Sequence, residues 1–181
     1  MTERSNLAHG PWEDAEALVG TELMRTEGAD DVTRADIRRK LEAIGFDCQV
    51  HYDEAVARQH GYRDVVAPVS MTRVFSLPPY WRPGEPRIGT QPQIPSIAGA
   101  RVPGEGDSLI ATQVRMDYGE PVHPGDRISS RAVLKSVTRK TTRVGPGAFL
   151  VVETTYTNQR GEVVATETVT LLRYQQQAAT E

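Results

Sequence analysis

The stretch FDCQVHYDEAVARQHGYRDVVAPVSMTRVFSL, residues 46–77, decides how the rest of the chain is read. Its first half is crowded with chemically capable side chains: Asp47, Cys48, His51, Tyr52, Asp53, Glu54 and His60. Its second half turns apolar at a proline. Asp53 is placed to cap a short helix over residues 54–60, and Gly61 to end it. Pro68 suits a first helical turn, where its missing N–H would have no partner in any case. The run VSMTRVFSL predicts a further helix that stops at Pro78-Pro79. With Val69, Val74, Phe75 and Leu77 and few charges, this helix is expected to be buried on most sides.

Upstream, Thr33 with Asp36 three residues on makes a capping-box start. Ile37, Leu41 and Ile44 form one helical stripe, and Gly45 stands where a helix end favours a left-handed residue. A helix over residues 34–44 follows, with a short strand before it at residues 22–26. Residues 1–20 read as a flexible arm whose later part is pinned by Trp12, Leu18 and Val19. Downstream, seven of the 12 prolines fall between Pro78 and Pro103. The loop at residues 79–107 therefore cannot be a regular helix or a central strand. A loop this long in a compact domain is usually functional, and Tyr80 and Trp81 are its expected pocket-lining residues.

From Ser108 the period becomes two. SLIATQVRMDY predicts Ile110, Val114, Met116 and Tyr118 on one strand face. RISSRAVLKSVTRKTT, AFLVVETTYTN and EVVATETVTLLRY are β-branched strands joined by short turns, hence antiparallel neighbours. The tail at residues 175–181 reads as disordered. Helices first, one of them apolar, then a long meander is an α+β pattern. A curved antiparallel sheet wrapped around a central helix, the hot-dog fold, satisfies it by covering one sheet face, although pattern alone leaves other α+β folds open. Residues 21–174 would make a single domain.

Composition narrows the function classes. The chain has 181 residues, 38% hydrophobic and 25% charged, with a net charge of −3, which argues against nucleic acid or an anionic membrane as partner. It contains no 18-residue apolar run and no apolar leader near its start, so a cytoplasmic protein is expected. The single cysteine, Cys48, rules out an intrachain disulfide and a cysteine zinc cage.

Three segments carry a family resemblance. HYDEAVARQHGYRDVVAPVSM is similar to the H-x-D-x-x-x-A-x-x-x-G-[FY] run of the MaoC-like dehydratases. YGEPVHPGDRI resembles their turn between strands, and VVETTYTNQRGEVVATETVTLLR their closing hairpin. Together these span about residues 35–174, and they resemble most the N-terminal-type, FAS1-like dehydratase branch of that (R)-specific enoyl-CoA hydratase family. The resemblance implies a hot-dog fold, usually two protomers side by side as a homodimer or a heterodimer with another MaoC-like chain. It implies acyl thioesters of coenzyme A or an acyl carrier protein as substrates. The reaction would be reversible hydration of an enoyl thioester, without metal or redox cofactor. The alternative is a non-catalytic acyl-binding subunit of a heteromeric MaoC-like dehydratase, and a hot-dog thioesterase is a more distant reading.

Carried over residue by residue, the family pattern D-x-N-P-x-H-x-D meets DCQVHYD here. His51 and Asp53 match the H-x-D part. Asp47 takes the place of the catalytic aspartate if the loop is one residue shorter; otherwise Phe46 stands there. The N-P pair is absent. Asp47 and His51 are thus the candidate acid/base residues, which a hydration needs in order to move one proton from water and one to carbon. The family's His-Gly at the central helix is Pro68-Val69 here, leaving the backbone N–H groups of Val69 and Ser70 to hold a thioester oxygen. The plainer expectations are Asp53 as a helix cap, Cys48 as a buried filler, His60 as a helix-end partner and His123 as an exposed turn residue.

Overall fold

The period-two segments pair into one antiparallel sheet. The computed structural model describes residues 7–84 and 95–176. Its strands are β1 (Glu22–Glu27), β2 (Ser108–Tyr118), β3 (Ser129–Thr142), β4 (Gly145–Thr157) and β5 (Val163–Tyr174), in the spatial order β1-β3-β4-β5-β2. The meander β3-β4-β5 forms the centre, and β1 and β2 are the two edges. This is the expected hot-dog arrangement. Along β4, Ala148, Leu150, Val152, Thr154 and Tyr156 are buried on the inner face. Their opposite neighbours on β5 place Glu167, Val169, Leu171 and Arg173 there too.

The edge strand β2 departs from strict alternation. A bulge between Ala111 and Gln113 sets Ile110 opposite Leu172 and Val114 opposite Val169. Ile110 therefore faces outward while Val114, Met116 and Tyr118 face inward, so the four do not share a face as the period predicts. A bulge adds one residue and flips the side-chain register beyond it. Val114 and Tyr118 remain half exposed, at 52% and 50%.

The helices frame the sheet unevenly. Helix α2 (Arg34–Ile44) matches its expectation: Thr33 Oγ1 accepts from the Asp36 N–H at 3.1 Å, and Gly45 closes it at φ 62°. Helix α3 (Glu54–Gln59) is capped by Asp53, whose carboxylate accepts from the Ala55 and Val56 N–H groups. Helix α1 (Trp12–Ala17) corrects the flexible arm, because Trp12 and Ala15 are buried in the core. Residues 1–6, and 177–181 of the expected tail, lie outside the described residues.

The expected central helix also needs correction. A 3-10 turn, Val69–Met71, leads into a single α turn, α4 (Thr72–Phe75). Met71, Thr72 and Ser76 are buried, but Val69 and Val74 are exposed. The helix ends at Ser76, whose hydroxyl and N–H both bond the Arg73 carbonyl, and the prolines beyond disfavour a further turn. Much of the cover comes from the proline-rich loop instead. Its 3-10 turn Pro95–Arg101 brings Ala98 against Leu134, Leu150, Val152 and Leu171. Gly99 makes this approach possible, since a Cβ there would stand 2.1 Å from Leu171 Cδ1.

Two apolar clusters result. Trp12, Met24, Ala98, Leu134 and Leu150 belong to one, and Ile37, Leu41, Val65, Ile128 and Tyr156 to the other. Between them runs a row of buried polar side chains: Thr26 on Ser130 at 2.6 Å, then Thr154 and Glu167.

Arg173, wholly buried, fastens the end of the proline-rich loop. Its guanidinium donates to the carbonyls of Gly106, Val102 and Gly104 at 2.8, 2.7 and 2.9 Å. Burial works against its charge, and three carbonyl dipoles offset that cost. Arg173→Met should strand those carbonyls and lower unfolding free energy by about 3 kcal/mol or more, read as a fall in urea midpoint. An unchanged midpoint would mean the loop is held by other means.

Candidate functional site

The end of α2 sets the first wall of the site. The Gly45 and Phe46 N–H groups bond back to Glu42 and Leu41, a closure that fixes where Phe46 leaves the helix. The Phe46 ring stands 5.8 Å from the His51 ring, centroid to centroid. The Tyr52 hydroxyl donates to the Phe46 carbonyl at 2.8 Å, and the turn Gln49–His51 folds the loop on itself.

His51 is held by backbone. Its Nδ1 lies 2.6 Å from the Val66 carbonyl, which can only accept, so Nδ1 carries the proton. In the neutral ring, Nε2 then presents a lone pair on the far side. Residues 65–67 run extended. The Val66 N–H donates to Val50, and the Ala67 N–H to Val122. On that second side His123 Nδ1 bonds the Val65 carbonyl at 2.9 Å. His123 is buried, which corrects its reading as an exposed turn residue. The β2–β3 turn folds under it because Asp126, wholly buried, accepts from the His123 N–H. Asp126 also takes Arg63 at 2.6 Å and Arg160 at 3.0 Å. Tyr62, Arg63, Glu120, His123, Arg160 and Glu162 surround a recess of about 410 Å³.

The turn after Pro68 follows directly. Its closing bond runs from the Met71 N–H to the Pro68 carbonyl, leaving the N–H groups of Val69 and Ser70 outside the turn's own ladder. One turn on, Arg73 reaches across the inner face. Its Nε donates to Glu167 at 3.0 Å, and an Nη grips the other carboxylate oxygen. The Tyr156 hydroxyl donates to the same carboxylate at 2.7 Å. Burial and that bond push the Tyr156 hydroxyl well above its ordinary pKa.

The sequence-predicted residues are thus brought together in part. His51 is tied to Val66, which precedes Val69 and Ser70 by three and four residues. The Asp47 side chain is exposed and has no hydrogen bond or ion pair with another described residue; only its carbonyl is engaged, by Gln49. Cys48 is exposed rather than buried, and Asp53 and His60 are helix caps. Tyr80 is 78% exposed and Trp81 39%, so the described structure gives neither a closed pocket. The Arg73–Glu167–Tyr156 cluster was missed. An arginine in an apolar run and a glutamate on the inward phase of TETVTLL are the signals that mark it. Among the described residues no group of three or more His, Cys, Asp or Glu side chains is placed to hold a metal ion, and no helix is long and apolar enough to cross a membrane.

The chain is similar to known proteins. The family model for the FAS1-like dehydratase domain region matches residues 17–167. A Thermomonospora curvata protein named "Probable enoyl-CoA hydratase alpha subunit" is 35% identical over 150 residues, covering 81% of this chain and 46% of that protein. The "3-oxo-4,17-pregnadiene-20-carboxyl-CoA hydratase alpha subunit" of Mycobacterium tuberculosis is 31% identical over 124 residues, covering 67% and 38%. The chain therefore spans less than half the length of these two relatives. The crystal structure of the ChsH1-ChsH2 complex from Mycobacterium tuberculosis matches with a TM-score of 0.65 at 25% identity, covering 92% of this chain and 90% of that one.

Asp126→Ala should cost about 3–5 kcal/mol, because two guanidinium groups and a buried N–H lose their acceptor. Glu42→Ala, which breaks the exposed Arg38–Glu42 pair, should change stability by no more than about 0.5 kcal/mol. Chemical denaturation of both variants checks the contrast, and similar losses would contradict it.

Proposed function

The chain belongs to the FAS1-like dehydratase family, and from that premise we propose that it is one half of an acyl-thioester hydratase/dehydratase. The proposed reaction is reversible addition of water to an enoyl thioester of coenzyme A or an acyl carrier protein. It moves a proton and a hydroxide and no electrons, so it calls for no redox group. The observation that carries the reading is His51. Its ring is fixed through Nδ1, its Nε2 makes no hydrogen bond to a carboxylate or any other group among the described residues and so can take a proton from water, and its ring neighbour is Phe46.

In this reading His51 and the N–H groups of Val69 and Ser70 form part of a composite site. The N–H groups would hold the thioester oxygen as enolate charge develops. The missing carboxylate would come from a second MaoC-like chain. Exposed apolar side chains support such a partner, Val114 and Tyr118 on the inner face of β2 and Val69 and Val74 on the turns after Pro68, and an edge strand invites pairing. That two relatives are named as alpha subunits supports it as well. A self-sufficient homodimer is the second reading, favoured by the unengaged Asp47 carboxylate on the same loop.

Hydration of hex-2-enoyl-CoA, followed by loss of the conjugated absorbance, separates the two. The chain alone should be nearly inactive, and co-expression with a MaoC-like chain should restore turnover. His51→Ala should then lower the rate by about a hundredfold or more. Full activity of the chain alone, lost in Asp47→Asn, would establish the homodimer instead. Equal rates with and without His51 would remove it from the chemistry. Val114→Lys should shift the assembled protein to monomer in size-exclusion chromatography, and an unchanged elution would place the interface elsewhere.

A further inference from the structure

The buried polar row under the Val69–Phe75 turns is an unusual place for an ion pair. Glu167 is wholly buried and points from β5 to the inner face, in register with Met116 on β2. Arg73 binds it with Nε and one Nη, and Tyr156 supplies a third donor. Glu167 is thereby satisfied. Arg73 is not spent: its side chain is 40% exposed and its other terminal nitrogen, Nη1, lies outside the ion pair. Val69 and Arg73 are four residues apart, about one turn along this short helical stretch. Val74 beside them is exposed, as are Val114 and Tyr118 on β2. The guanidinium thus stands at Glu167, whose register neighbour Met116 lies between the inward-facing apolar residues Val114 and Tyr118 of β2, and one helical turn on from the N–H groups proposed to hold the thioester oxygen.

We infer that Arg73 is a specificity residue for the acyl part of the substrate, and that it selects acyl groups bearing a neutral oxygen acceptor, a keto or hydroxyl group, over plain alkyl chains. Three physical points lead there. An alkyl chain laid on the Arg73 edge would strip water from N–H donors and give nothing back, a loss that a polar site imposes on any ligand lacking the matching group. An acceptor oxygen replaces that water. The partner oxygen is neutral rather than ionic because the Arg73–Glu167 pair already has no net charge, so a carboxylate would meet the Glu167 field as well as the donor. The bidentate grip also fixes the planar group, so its free edge has one direction. This rests on the thioester reading above.

The test uses matched substrates on the assembled protein: hex-2-enoyl-CoA and its 5-oxo and 5-hydroxy counterparts for turnover, with hexanoyl-CoA and 5-oxohexanoyl-CoA for calorimetric binding. The wild type should favour the oxygenated partner by about tenfold or more in kcat/KM and in affinity. Arg73→Lys keeps a cation for Glu167 but loses the planar fork, and should erase most of that preference. Arg73→Met combined with Glu167→Gln removes the ion pair, keeps an acceptor for Tyr156, and should turn the preference toward the alkyl substrates. No preference in the wild type, or the same preference in both variants, overturns the assignment. If none of the enoyl substrates is hydrated while the binding preference and its loss in the variants are seen, the hydratase reading fails and the role of Arg73 stands.

Discussion

The candidate site hangs on residues 65–67, an extended stretch whose backbone is bonded on both sides. Val66 exchanges bonds with the 50–51 turn, its N–H to Val50 and its carbonyl to the His51 ring. Val65 and Ala67 face the other way and bond His123 and Val122. This is the alternation of a strand, used to staple two loops that would otherwise be independent. Val65 and Ala67 are also in the core with Ile37, Leu41 and Ile128. Sliding the stretch by one residue would exchange its two sides, bury the wrong groups and free both histidines. Ring orientation at His51 is therefore a consequence of core packing, and the loop has little freedom of its own.

Much of this was legible in the sequence where the signal was local. Thr33, Asp36 and Gly45 announced α2 to the residue, and Asp53 with Gly61 announced α3, because capping is a short-range hydrogen-bond problem. The strands followed from period two. What stayed hidden depended on distant partners. The Pro68 helix ended early because the Ser76 hydroxyl found the Arg73 carbonyl three residues back, and because Pro95–Arg101 brought Ala98 into the core over the sheet. The Ala111–Gln113 bulge is invisible without the partner strand. At the site, His51 was legible from its spacing. Its Val66 tether was not, since carbonyl positions 15 residues away are set by the fold.

The row of buried polar groups is the second organising feature. A sheet face this size would be apolar throughout if stability alone mattered, and a buried ion pair is weak evidence of stabilisation. Here it divides the interior into two packed clusters, so that the Val69–Phe75 turns dock at one place only. Gly28 enforces the fit: a Cβ there would come within 2.1 Å of the Phe75 carbonyl oxygen. Sequence reading overlooked the row because its members arrive singly, one from each strand, each resembling an ordinary solvated residue until the register is known.

The Arg173 clamp has a bearing on how the chain is built. The carbonyls it grips were made 67 to 71 residues earlier. The strand that carries it, β5, also separates β4 from β2. Until β5 has been made, β2 lacks the strand it pairs with and the loop above the core lacks the Arg173 anchor. The sheet must therefore close only once β5 has been made, through contacts of long sequence separation that form slowly. A nascent chain halted within β5 would leave β2 unpaired, and quality control should meet such truncated products as aggregates rather than as smaller folded domains.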